Sequence, residues 1–117
     1  KEVLINGYAN ELGQVIVNII TNAKDALAEC DIEGKKIQIE LSCKNKEVMI
    51  RIQDNAGGID PAIIDKIFDP YFSTKTDKNG TGLGLYMSRL IVVEHMQGSL
   101  RVDNTKKGAR FVIILQS

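Results

Sequence analysis

The chain has 117 residues, 44% apolar and 26% charged, the make-up of one ordinary globular domain with enough length to bury a core. Fifteen basic residues balance fifteen acidic ones, which argues against nucleic acid or an anionic membrane as a partner. No apolar run approaches the roughly 20 residues of a membrane span, and the single histidine, His95, is too few for a histidine-ligated metal centre or a histidine-based triad. Cys30 and Cys43 form neither a C-x-x-C pair nor a disulfide framework, and suit a reduced, cytoplasmic setting as small core residues. The sequence opens in mid-pattern at Lys1, as a piece of something longer would.

Glu2 to Ile5 reads as a short edge strand closed by Asn6-Gly7. From Asn10 to Glu29 the period becomes helical: Leu12, Val15, Ile16, Ile19, Ile20, Ala23 and Leu27 recur at steps of three and four, with Asn10 as N-cap. Asp31 to Lys36 is a turn pivoting on Gly34. Ile37, Ile39, Leu41 and Cys43 alternate as a half-buried strand should, and Val48, Ile50 and Ile52 alternate again after a polar connection, so 37–53 is a β-hairpin. Asp54 to Ile59 is a turn-rich loop, and Asp60-Pro61 starts a short helix that turns Ile63, Ile64 and Ile67 inward.

Tyr71-Phe72 sits beside a polar stretch, Ser73 to Gly82, with the character of a mobile lid. A helix from Leu85 to Met96 follows and ends near Gly98; strands at Leu100–Val102 and Arg110–Leu115 close the chain, the last apolar enough to be covered on both faces. Two hairpins in one sheet with helices packed on it make an α+β sandwich, not the βαβ alternation of a dinucleotide-binding fold.

Three features carry chemistry. Gly80-Thr81-Gly82-Leu83-Gly84-Leu85 opens into a helix, where backbone N–H groups and the helix dipole suit a phosphate; the alternative is a flexible loop with turn glycines. No Lys-Ser or Lys-Thr pair follows and no strand precedes, which excludes a P-loop and a Rossmann turn. On the first helix Asn18, Asn22, Asp25 and Glu29 form one stripe, roughly opposite the apolar face. A solvated polar face accounts for Asp25 and Glu29. Asn is a mediocre helix former, so two of them one turn apart suggest amide oxygens aimed at a ligand such as Mg²⁺ shared with phosphates. Asp54, at the end of a strand and before Gly57-Gly58, either forms an Asx turn or accepts a hydrogen bond from an exocyclic amine.

Together these clusters resemble one family. Gln14 to Ala26 looks like the N box of sensor histidine kinases, Asp54 to Ile59 like their first glycine box, Ile67 to Lys75 like the F box, and Gly80 to Leu85 like the second glycine box. The order and spacing agree across nearly the whole chain. The resemblance implies the catalytic ATP-binding domain, residues 1–117, of a two-component histidine kinase in the gyrase, heat-shock chaperone and MutL superfamily. Its fold is a two-layer sandwich with a mixed, mostly antiparallel sheet of about five strands backed by about three helices.

On that resemblance, Asn22 holds Mg²⁺, Asn18 lies near the phosphates, and Asp54 takes the adenine amino hydrogen while Gly58 leaves room for the ring. Lys75 approaches from the lid, and the amides from Thr81 to Leu85 bind phosphate oxygens; Asp25, Ile59, Phe72 and Gly80 complete the expected ATP contacts. The superfamily's hydrolases have Glu at position 18, and an amide cannot serve as their water-activating base. The γ-phosphate is therefore expected to pass to a histidine on an upstream helical dimerisation domain, then to a response regulator. No catalytic residue is expected in the chain itself; His95 matches a glutamate-histidine pair of the family's last helix, not the phosphoacceptor. The full-length protein is expected to be a homodimer, possessing or lacking a membrane anchor. Ala56 departs from the glycine box, and Ala109 stands where many members have Thr, so the chain lacks the hydroxyl for that residue's water-linked bond behind the adenine. An anti-sigma-factor serine kinase and a nucleotide-free partner-binding module are the competing readings.

Overall fold

The computed structural model describes residues 9–70, 72 and 84–116. Helix α1 runs from Ala9 to Ala28. It buries Val15, Ile19, Ala23 and Leu27, one residue per turn, as the apolar spacing dictates. Because the helix already includes Ala9, Asn10 lies in its first turn and is not the cap. The turn after α1 pivots on Gly34 at φ +68°.

Strands β1 (Ile37–Lys44) and β2 (Glu47–Asp54) form the expected hairpin in full register from Ile37↔Asp54 to Lys44↔Glu47. Asn45 (φ 54°) and Lys46 (φ 66°) make its two-residue connection, both left-handed, the twist that suits a tight hairpin. Strands β3 (Ser99–Asn104) and β4 (Ala109–Gln116) form the second hairpin. β4 inserts beside β2, giving the order β1-β2-β4-β3 with every pair antiparallel. Among the described residues the sheet thus has four strands and no parallel pair, where a mixed sheet of about five was expected. The strand expected at Glu2 to Ile5 lies outside the described residues.

One face of the sheet carries the core. Val48, Ile50 and Ile52 of β2 pack with Phe111, Ile113 and Leu115 of β4 beneath Val15 and Ile19 of α1. The burial of β4 alternates strictly, with Arg110, Val112 and Ile114 only partly covered, so the strand is sealed on one face and not on both. The helices lie on a single side, and across the outer face charges pair instead. The Arg110 guanidinium grips the Asp103 carboxylate with two hydrogen bonds, 3.0 and 2.5 Å, and holds its pKa below the ordinary 3.8.

Three further expectations need correction. Strand β1 is not half-buried: Ile39 and Leu41 are 56% and 61% exposed and Cys43 is exposed too, because β1 is an edge strand that α1 covers only slightly. Cys30 is only partly covered, so neither cysteine is a core residue. The helix expected after Pro61 shrinks to a 3₁₀ turn, Ile64–Lys66, with only Ile67 fully buried. That segment is fixed from outside: Phe68 meets the edge of Phe111 at 6.3 Å, and Arg89 lies over its ring at 5.1 Å.

The last helix is also composite. Helix α2, Gly84–Leu90, passes into a π turn, Ile91–His95, in which the Met96 N–H reaches back five residues to the Ile91 carbonyl. The wider turn rotates the inward face. Ser88 and Val92 are buried, while Leu90 and Val93 are 37% and 38% exposed.

Candidate functional site

Strand β2 delivers Asp54 at its end, on the helix-facing side that Val48, Ile50 and Ile52 share, and the residue is only 8% exposed. A carboxylate so placed must find donors. Its Oδ1 accepts from the Ala56 N–H at 2.9 Å, an Asx-type turn, and from the Ala109 N–H at 3.3 Å. Among the described residues Oδ2 has no protein partner, so one oxygen orients the group and the other remains an acceptor. Ala109 lacks the hydroxyl that many relatives of the resembled family carry; its backbone holds Asp54 directly. Contact here is tight: a Cβ on Gly108 would stand 2.1 Å from the Asp54 carbonyl oxygen and 2.6 Å from Oδ1.

The loop after Asp54 is tied at several points. Asn55 accepts from the Lys36 N–H and donates to the Gly34 carbonyl, both at 2.9 Å. Gly57 donates to the Lys107 carbonyl at 2.9 Å. Ile59 exchanges two 2.8 Å bonds with the side chain of Asn104. Gly58, at φ +87°, would direct a Cβ to within 2.9 Å of Asn104 Oδ1. Backbone conformation and the neighbouring amide therefore account for glycine there.

From the other side, α1 presents Asn18, Asn22 and Asp25, all half-buried. They do not lie opposite the apolar face: each of the two asparagines precedes a buried residue, Ile19 or Ala23, and so sits about 100° around the helix from it. Asn18 faces α2. Its Nδ2 donates to Ser88 Oγ at 3.0 Å and lies 3.4 Å from the Gly84 carbonyl, to which the Ser88 hydroxyl donates at 2.8 Å. Two acceptors on that side fix the amide's orientation, so Oδ1 turns away and receives Gln14 Nε2 at 3.1 Å. Sequence reasoning missed Ser88, Asn104 and Asn55. Only Gln14, four residues before Asn18, had a local signal.

Ile59, Phe72 and Leu85 are half-buried against the core, and Gly84 is the first residue of α2. Lys75, Gly80, Thr81, Gly82 and Leu83 lie outside the described residues. Among those described, no three His, Cys, Asp or Glu side chains gather into a metal cage. The oxygen donor singled out on α1, Asn22, suits a hard cation that takes its other ligands from water and phosphate.

The profile of the histidine kinase-, DNA gyrase B- and HSP90-like ATPases matches residues 7–117. The chain belongs to this family. Among relatives in this ATPase family, it is 38% identical over 118 residues to the two-component sensor PprA of Pseudomonas aeruginosa, covering 98% of this chain and 13% of that protein. It is 41% identical over 113 residues to the signal transduction histidine-protein kinase AtoS of Escherichia coli, covering 95% and 17%. Of solved structures, the nucleotide-free catalytic domain of histidine kinase ThkA superposes with a TM-score of 0.80 at 28% identity, covering 96% of this chain and 70% of that one. The mycobacterial sensor histidine kinase MprB gives 0.78 at 25%, covering 96% and 76%. The chain spans between 13% and 22% of the length of the curated relatives it matches. No described helix is long and apolar enough to cross a membrane.

Proposed function

We propose that residues 1–117 form the catalytic ATP-binding domain of a two-component sensor kinase, binding Mg-ATP and giving its γ-phosphoryl group to a histidine on a separate helical dimerisation domain. The observation that carries the reading is Asp54: a buried carboxylate with one oxygen held by two backbone N–H groups and the other without a protein partner among the described residues. An adenine amino group is the donor such an oxygen suits. Ile59 and Phe72 supply apolar surface for the base. Asn22, with Asp25 one turn on, serves a magnesium ion shared with the phosphates, and Lys75 with Gly80 to Leu85 supplies the phosphate end. Bound Mg²⁺ would neutralise phosphate charge as the group departs.

In the transfer, an imidazole nitrogen of the partner domain bonds to the γ-phosphorus, the bond to the β,γ-bridging oxygen breaks, and ADP leaves. Asn18 belongs to positioning: an amide does not take a proton from water, and its N–H₂ is engaged by Ser88 and Gly84. Water is thus left without a base at that position, and phosphotransfer should outrun hydrolysis. The partners are the chain's own upstream helical domain, within a homodimer, and a response regulator receiver domain. Calorimetry with ADP and Mg²⁺ tests the reading. Asp54→Ala should cost at least tenfold in affinity, the scale of a lost hydrogen bond to a charged group; wild-type binding that is absent, or indifferent to the substitution, would sink it.

A further inference from the structure

Asn104 ends β3, 45 residues from the loop it touches. Its Oδ1 accepts from the Ile59 N–H and its Nδ2 donates to the Ile59 carbonyl, both at 2.8 Å, so the side chain pairs with Ile59 as a neighbouring strand would. The bland role for such a residue is to close its own turn. Thr105 already does that, its Oγ1 receiving the N–H groups of Lys107 (3.2 Å) and Gly108 (3.0 Å) while its own N–H reaches the Gly108 carbonyl (2.7 Å). The Asn104 amide is committed to Ile59.

That commitment has a consequence for Asp54. The Ala56 N–H and the Ala109 N–H that hold Oδ1 belong to two different segments, the 55–59 loop and the start of β4. Their relative position sets which way the carboxylate turns. Asn104, paired with Ala109 across the β3–β4 hairpin, ties the far end of the loop to that hairpin, and Gly57, bonded to Lys107 in the hairpin's turn, ties the middle. The close fit of Gly58 on Asn104 and of Gly108 on Asp54 leaves little slack between them. We infer that Asn104 is a positioning residue for base selection: by clamping Ile59 it fixes the loop that aims Asp54 at a 6-amino purine. This inference rests on the nucleotide reading of the site.

The test compares ADP with inosine 5′-diphosphate, which lacks the 6-amino donor, by calorimetry, and follows Ile59 amide exchange by NMR. Asn104→Ala should weaken ADP roughly tenfold, the scale of one or two lost hydrogen bonds, and inosine diphosphate much less, so that discrimination narrows while Ile59 exchange accelerates. Asn104→Asp keeps the acceptor for the Ile59 N–H and loses the donor, and should fall between wild type and Ala. Equal losses for both nucleotides, as a merely structural residue would give, or unchanged Ile59 exchange would overturn the assignment of Asn104. A wild-type chain that does not prefer ADP at all would overturn the base pocket itself, and the role in base choice with it.

Discussion

Ser88 is fully buried, and its hydroxyl is satisfied on both sides, accepting from Asn18 and donating to Gly84. Ser88→Ala removes the acceptor and leaves the Asn18 N–H₂ with one long contact at 3.4 Å. Leaving a half-buried donor without a good partner should cost about 1–2 kcal/mol in urea unfolding; an unchanged midpoint would mean that the bond contributes nothing. Asn18 was legible in the sequence because asparagine is a mediocre helix former and needs a reason to sit mid-helix. Its partner was not legible, since Ser88 lies 70 residues away and a serine in a helix announces nothing. Asn104 was hidden for the same reason. Asp54 was readable in both of its alternatives: Oδ1 makes the Asx turn, and Oδ2 remains for a ligand. At position 109 the sequence showed a missing hydroxyl, but only the fold could bring that residue's backbone N–H to Asp54.

Elements were easier to find than to orient. Alternation over 37–53 located the first hairpin, yet alternation alone does not tell an edge strand from a covered one, and β1 proved exposed where β2 is sealed. The last helix likewise kept its limits, but its π turn was not legible, because it shifts the phase that a steady 3.6-residue period assumes. Two glycines show how element context sets the sign of one substitution. Gly13 lies exposed within α1 with nothing within 4 Å of an added Cβ, so Gly13→Ala should stabilise by about 0.5–1 kcal/mol through helix propensity. Gly108 joins β3 to β4 hard against Asp54, and a Cβ 2.1 Å from a backbone oxygen forces main chain to move. Gly108→Ala should therefore destabilise by about 1–3 kcal/mol and weaken ADP binding as Asp54 shifts. Thermal unfolding of the pair should move in opposite directions; a tolerated Gly108→Ala with full affinity would show that the turn does not brace the carboxylate.

Taken whole, the molecule is a sheet with helices on one side, and the chain belongs to a family of ATPases. Within this chain the sole candidate phosphoacceptor of the right type is His95. Its Nδ1 sits 2.7 Å from Glu11 Oε2, linking the π turn to the first turns of α1. We assign that contact a structural role: one hydrogen bond at a partly exposed site contributes about 1 kcal/mol. His95→Gln should accordingly lower stability slightly and leave nucleotide affinity unchanged. Incubated alone with γ-labelled ATP, the chain should acquire no acid-labile phosphate; supplied with a histidine-bearing helical dimerisation domain, it should label that domain, and His95→Gln should do so equally well. Labelling of the isolated chain that disappears in His95→Gln would make His95 the acceptor and reverse the division of labour proposed between the two domains. Rapid ATP hydrolysis by the chain alone would strike at a different step, by showing that a group other than Asn18 activates water.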